Sequence, residues 1–383
     1  MNFCKEEKAY VTKVGILSMQ RIYNYGSFLQ AYGLKKILED LGCDVEFVDY
    51  HPGKCLLPVS GGKGILRKLS KAIEVFQYHA PLKEKLRFIK YKKNYAANYY
   101  SYLGVDEIRN YTPELDLLVI GSDEVFNCVQ NNINVGFAPE LFGEGNHANR
   151  LISYAASFGN TTVQKLEQYK IRDIVAKWIT NFDAVSVRDA NSGSIVKELT
   201  GISPVYCFDP VLAYDFIGRC KDIPANVPEA DYMILYGYTG RFSKEECRVI
   251  RFYAIKNNVK IFCIGGVQDC CDKYIDCNPF QVIAYFQHAK YVVTDTFHGT
   301  ILSVITHRQF VAIVRCSGYS NYEKMTDLLK RLQLEDRILT KISDMGSIIN
   351  KEINYINTDV IIKMERKRSY NYLREEIELC TQN

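Results

Sequence analysis

Short apolar runs rich in β-branched residues alternate with longer stretches of helical spacing along most of this chain. Residues 11–19 form the first run. After Tyr25-Gly26-Ser27 come Phe28, Leu29, Tyr32, Leu34, Ile37, Leu38 and Leu41, a 3.6-residue period that closes at Gly42. A second apolar run at 43–50 completes a strand–helix–strand unit. Parallel pairing is the economical reading, because such strands need a crossover long enough to hold a helix. Runs at 115–120 and 150–156 follow, ending in Gly121-Ser122-Asp123 and Ser157-Phe158-Gly159. The spacing then predicts a helix over 162–181, a short strand at 184–187 opening into Arg188-Asp189, and a helix to about 199. Strand and turn character over 205–222 leads into a polar, proline-containing linker at 222–231.

The second half repeats the theme. Strands are predicted at 232–236, 260–264, 291–294 and 310–314, and helices at 244–256, 279–288, 301–306 and 322–332. A charged helical tail begins at 344. The fold class is therefore α/β, with two Rossmann-like doubly wound domains facing a cleft. The expected domains are 1–221, 222–343 and a helical tail 344–383. Ligands in such sheets sit beyond the carboxyl ends of the strands, at switch points, so the substrate is expected between the halves.

One stretch breaks the alternation. Between 61 and 95 stand Lys63, Arg67, Lys68, Lys71, Lys83, Lys85, Arg87, Lys90, Lys92 and Lys93 against Glu74 and Glu84, with Ile65, Leu66, Leu69, Ile73, Val75 and Phe76 as an apolar face. This predicts one or two basic amphipathic helices inserted at about 61–100. Such helices are either a solvated excursion or a patch for anionic lipid or a diphosphate-linked acceptor.

Composition narrows the classes. At 383 residues and a formal charge of +4, the chain suits about two ordinary domains, and a nucleic-acid partner is not expected. The opening MNFCKEEK lacks the order of a secretory signal, and no apolar run approaches the ~18 residues of a membrane span. Thirteen scattered cysteines without a Cys-x-x-Cys pair read as reduced thiols. Cytoplasm is the expected address, with peripheral contact at the inner membrane face left open. Cys263, Cys270, Cys271 and Cys277 lack metal-ligand spacing, 60–64 is not a phosphate-binding P-loop, and no serine-hydrolase elbow or zinc-protease helix occurs.

Polar residues gather where strands end: Asn24 to Ser27, Asp123, Ser157, Arg188 and His298-Gly299-Thr300. Each segment is explained by helix capping, or by an anion held at a helix start. His298, at a predicted strand-to-helix turn, suits proton transfer near neutral pH. Arg188, and with less support Arg315, offers a planar fork for carboxylate or phosphate.

Taken together, these segments resemble the polysaccharide pyruvyl transferase family. The matching stretches are 23–32 (YNYGSFLQAY), 116–127 (DLLVIGSDEVFN), 153–159 (SYAASFG), 186–189 (SVRD), 209–212 (DPVL) and 294–303 (TDTFHGTILS). Two departures stand out: Glu124-Val125-Phe126-Asn127 where Gln-Val-Trp-Asn is frequent, and Thr296-Phe297-His298 where Arg-Leu-His is frequent. The resemblance implies a glycosyltransferase-B-like fold and transfer of pyruvate from phosphoenolpyruvate onto a sugar of a polysaccharide or lipid-linked glycan. The product would be a cyclic ketal, with phosphate released. It implies His298 and Arg188 as catalytic, Thr296, Gly299, Thr300 and Arg315 on the donor, and Asn24, Ser27, Gln30, Asp123 and Asn127 on the acceptor. Phosphoenolpyruvate would be a co-substrate, a polyprenyl-diphosphate-linked sugar is a candidate acceptor, and no metal or organic cofactor is demanded. A nucleotide-sugar glycosyltransferase and a non-catalytic glycan-binding relative stay open beside it.

Overall fold

The computed structural model describes residues 10–58, 75–315 and 321–380. Strands β1 (Lys13–Leu17), β2 (Asp44–Val48), β3 (Leu117–Asp123), β4 (Arg150–Ala156), β5 (Ser186–Val187) and β6 (Val205–Tyr206) form one parallel sheet in the order β2-β1-β3-β4-β5-β6. Strands β7 (Tyr232–Tyr236), β8 (Lys260–Ile264), β9 (Lys273–Tyr274), β10 (Tyr291–Thr294), β11 (Gln309–Ile313) and β12 (Ile338–Leu339) form a second, in the order β12-β11-β10-β7-β8-β9. The sequence order reverses between β1 and β3 in the first sheet and between β7 and β10 in the second. Each reversal opens a crevice at the strands' carboxyl ends.

Helix α1 (Tyr25–Asp40) follows β1, and Asn24 caps it by accepting from the Ser27 N–H. Gly42, at φ 87°, makes the left-handed turn into β2. Phe28 and Tyr32 on α1 pack against Phe280 of the second lobe, at ring-centroid distances of 5.9 and 5.0 Å. One continuous buried cluster consequently runs from Val14 and Tyr25 through to Tyr232 and Ile301.

Several expectations are corrected by packing. Helix α2 (Leu82–Leu103) is no detached, solvated excursion. Its Phe88, Tyr91, Tyr95 and Tyr99 are buried, Tyr99 donates to the Cys277 carbonyl at 2.9 Å, and Glu84 accepts from the Tyr274 N–H. The remaining part of the basic insertion, including Lys63, Arg67, Lys68 and Lys71, lies outside the described residues. The helix expected over 162–181 is two, α3 (Val163–Gln168) and α4 (Arg172–Thr180). Lys170 at φ 56° lets the Ile171 N–H reach back to the Leu166 carbonyl and end the first. Helix α5 (Ala190–Thr200) follows β5. Two single-turn helices, α6 (Pro210–Ala213) and α7 (Phe216–Arg219), replace much of the turn character after 205, capped by Asp209 and Asp215.

In the second lobe, α8 (Lys244–Lys256) and α9 (Pro279–His288) match their expected limits. Helix α10 (Phe297–Ile305) begins four residues earlier than the spacing indicated, because the Thr296 hydroxyl accepts from the Gly299 N–H and caps it. Helix α11 (Tyr322–Arg331) precedes β12, and α12 (Met345–Asn350) leads to the long α13 (Ile356–Cys380). Helix α13 returns to the first lobe: Tyr372 donates to the Ser153 carbonyl at 2.8 Å and Arg150 pairs with Glu376 at 2.6 Å. Among the described residues, no helix is long and apolar enough to cross a membrane.

Candidate active site

The two crevices face each other. From the first lobe comes the start of α1, and from the second come the ends of β7, β8 and β10 and the start of α10. Between them lies a narrow cleft with a free volume of ≈ 30 Å³, lined by Asn24, Tyr25, Tyr236, Gly237, Tyr238, Gly265, Thr296 and His298.

His298 stands in the first turn of α10 with its side chain 13% exposed. Its ring presses on the first turn of α1 so closely that a methyl group on Gly26 would stand 2.2 Å from Nδ1. On its other edge, Nε2 lies 3.5 Å from Oδ2 of Asp209, an ion-pair distance without hydrogen-bond alignment. The same carboxylate oxygen accepts from Nη1 of Arg188 at 2.7 Å, while Oδ1 accepts from the Val211 N–H. Nη2 of Arg188 reaches Asp123 at 3.2 Å, and Asp123 in turn accepts from the Ser27 hydroxyl at 2.8 Å. The Phe297 ring covers the guanidinium at 4.5 Å. Asp123 itself sits at φ 70°, a backbone conformation that non-glycine residues adopt rarely.

Electrostatics follow from this layout. Burial pushes the Asp209 carboxyl up, but His298 and Arg188 outweigh it and hold it down at about 2. Burial opposes the Arg188 charge, yet Asp123 and Asp209 raise its pKa above the ordinary value. Beside this group, Glu124 of the first lobe pairs with Lys324 of the second at 2.7 Å. Burial again works against the Glu124 charge, and Lys324 draws the carboxyl down to about 2.

A family model for polysaccharide pyruvyl transferases matches residues 24–317, well over half of the chain, and spans these groups from Asn24 to His298, with Lys324 beyond its end. The chain belongs to the polysaccharide pyruvyl transferase family. Membership supports pyruvyl transfer as the reaction class. Comparison with curated proteins finds no match. Among solved structures the chain is similar to the O-GlcNAc transferase of Thermobaculum terrenum, at 11% identity and TM-score 0.44, covering 96% of this chain and 66% of that one. It thus spans just under two thirds of that protein's length. It is also similar to spinosyn forosaminyltransferase (9%, TM-score 0.48, covering 97% and 100%) and to the glycotransferase of kitacinnamycin (10%, TM-score 0.46, covering 96% and 100%). Likeness at this level carries no argument about chemistry.

Within this family member, the residues expected at the site divide into two groups. Asn24, Ser27, Asp123, Arg188, Thr296 and His298 come together at the cleft or directly behind it. Arg188 is turned from solvent, with a side chain 2% exposed and both Nη groups on carboxylates. Gln30 is fully buried, accepting from the Ser122 N–H and donating to Ser18 and the Ser27 carbonyl, so it ties α1 to β1 and β3 instead of facing a ligand. Asn127 is turned into the fold, where Oδ1 accepts from the Val129 N–H and the Thr161 hydroxyl. Arg315 does not line the cleft; it pairs with Glu246 at 2.9 Å and Asp295 at 3.3 Å. Thr300 is buried, its hydroxyl donating back to the Thr296 carbonyl, and the Gly299 N–H is taken by the cap. Among the described residues, the helix-start N–H groups of Phe297 and His298 meet no acceptor.

Sequence reading missed three contributors. Asp209 sits before a proline and reads as an ordinary helix cap, which it also is. Tyr238 follows a strand at a Gly-Tyr-Thr-Gly turn and exposes half its surface. Lys324 lies in a charged helix, and nothing local marks its reach to the other lobe.

Two outcomes are expected. Alanine favours a helix over glycine by ~1 kcal/mol, yet Gly26→Ala should lower the melting temperature, because the new methyl collides with the His298 ring; an unchanged or higher value would mean the ring is not seated there. The depressed carboxyls of Glu124 and Asp209 contribute stability above the ordinary carboxylate range, lost as pH falls from about 5 through about 2. Melting temperatures over that range should fall less steeply in Glu124→Gln than in the parent, and parallel curves would remove the pair from the stability account.

Proposed function

We propose that this chain transfers pyruvate from phosphoenolpyruvate onto two hydroxyls of one sugar, forming a cyclic ketal and releasing phosphate. The carrying observation is His298 at the meeting of the two crevices, on a helix start and backed by charged partners. Protonation of the enol methylene leaves an oxocarbenium-like carbon, to which the first hydroxyl adds. The second hydroxyl then displaces phosphate. Of the two hydroxyl protons, one balances the methyl group and the other leaves with phosphate. One group must therefore both give and take protons, which suits an imidazole.

The donor is strongly anionic. The open N–H groups of Phe297 and His298 and the positive end of α10 support placing its phosphate or carboxylate there, with Thr296 shaping the turn. Arg188 contributes positive charge from behind Phe297; a direct grip on the donor requires Asp123 or Asp209 to give way. Asn24 and the half-exposed Tyr238 ring support an acceptor entering from the cleft mouth, a flat aromatic face being suited to a sugar ring.

We place the acceptor on a lipid-linked glycan met at the inner membrane face by a cytoplasmic protein. On α2, Leu82 and Leu86 are 60% and 53% exposed beside the exposed Lys83, Lys90 and Lys93. Apolar and cationic side chains on one helix face favour an anionic lipid surface.

With phosphoenolpyruvate and a galactose-, glucose- or mannose-terminated acceptor, purified protein should release phosphate, and His298→Ala should lose at least ~10²-fold in rate. No release across a broad acceptor panel, or full activity in the variant, would falsify the reaction. Sedimentation should recover more protein with anionic than with neutral vesicles, and Lys83→Glu with Lys90→Glu should abolish the difference. Equal recovery on both vesicles would overturn the membrane placement.

A further inference from the structure

We infer that Asp209 is a positioning residue that sets the tautomer of His298, so that Nδ1 is the nitrogen exchanging protons with substrate. Its kinetic consequence rests on the reaction proposed above; the tautomer itself does not. Asp209 has committed Oδ1 to the Val211 N–H and one lone pair of Oδ2 to Arg188. The other lone pair of Oδ2 has His298 Nε2 as its neighbour at 3.5 Å. Among the described residues Nε2 is buried and has no hydrogen-bond partner, so the Asp209 carboxylate decides what it carries.

A bare nitrogen lone pair facing a carboxylate oxygen is repelled, whereas an N–H is attracted. The neutral ring therefore holds its proton on Nε2 and its lone pair on Nδ1. Contacts between catalytic groups are frequently long or poorly aligned before substrate binds and tighten into hydrogen bonds in the complex. The Nδ1 edge lies against the first turn of α1 at Gly26, where the absence of a side chain makes room for the ring itself. Asn24, two positions before Gly26, lines the cleft together with His298. When Nδ1 takes a proton, the imidazolium gains a carboxylate that Arg188 helps to hold ionised against the opposing effect of burial. The two chemical demands, a fixed tautomer and a counter-charge for the cation, are met by one oxygen.

The test is nitrogen NMR of histidine-labelled protein at pH ~8.5, where imidazole is ordinarily neutral. The chain has six histidines, and the signals lost in His298→Gln identify the ring. We expect a protonated Nε2 and an unprotonated Nδ1. In Asp209→Asn the amide still caps α6, and the preference should be lost. Phosphate release by that variant should fall at least ~10²-fold in kcat, with KM for phosphoenolpyruvate changed less than about 3-fold. A protonated Nδ1 in the parent protein, or a tautomer and kcat unaltered by Asp209→Asn, overturns the assignment. If that variant does not fold, the parent spectrum decides alone. A protonated Nε2 without any phosphate release from phosphoenolpyruvate supports the positioning role while removing the proposed reaction.

Discussion

The buried Asp209 carboxylate, shared between a guanidinium of its own lobe and an imidazole of the other, is the contact on which the rest of this site depends. Withdrawing a carboxylate from water is unfavourable unless charge and hydrogen bonds replace the solvent, and losing one partner of such a pair typically costs about 3–5 kcal/mol. The chain Ser27–Asp123–Arg188–Asp209–His298 supplies those partners in sequence. Each link fixes the next, so the position of the imidazole is set by groups from α1, β3, the end of β5 and the cap of α6 together.

Shape enforces what charge selects. Gly26 permits the imidazole to lie on the first turn of α1, and Phe297 covers the guanidinium on the same seam. Phe28, Tyr32 and Phe280 extend the contact as a dry aromatic layer behind it. Lys324 with Glu124, and Arg331 with the Arg188 carbonyl at 2.8 Å, tie α11 to the first lobe on the far side. The arrangement leaves a narrow opening at the start of α10, around which Tyr238 and Asn24 present surfaces of different character.

Much of the architecture was legible in the chain because its signals are local. Strand runs 150–156, 232–236, 260–264 and 291–294 and helices 244–256 and 279–288 have the limits read from their periods. The errors have local causes too. Thr296 caps α10 earlier than apolar spacing suggests, and Lys170 ends a helix through a left-handed turn that its residue type does not announce. Helix α2 looked solvated because its lysines are plain in the sequence, whereas the partners of its tyrosines, Cys277 and Tyr274 among them, stand almost two hundred positions away or in the other lobe.

By itself the sequence determined the α/β alternation, the polar residues at strand ends and the histidine most suited to proton chemistry, since each depends on neighbours within a few positions. Tertiary structure decided which of those polar residues face the cleft. Gln30 and Asn127 were drawn into the fold and Arg315 into ion pairs with Glu246 and Asp295, because each partner comes from a distant element. It also brought in Asp209, whose local role as a helix cap conceals its second role, since the imidazole it faces is held 3.5 Å away by the meeting of two lobes and by no spacing along the chain.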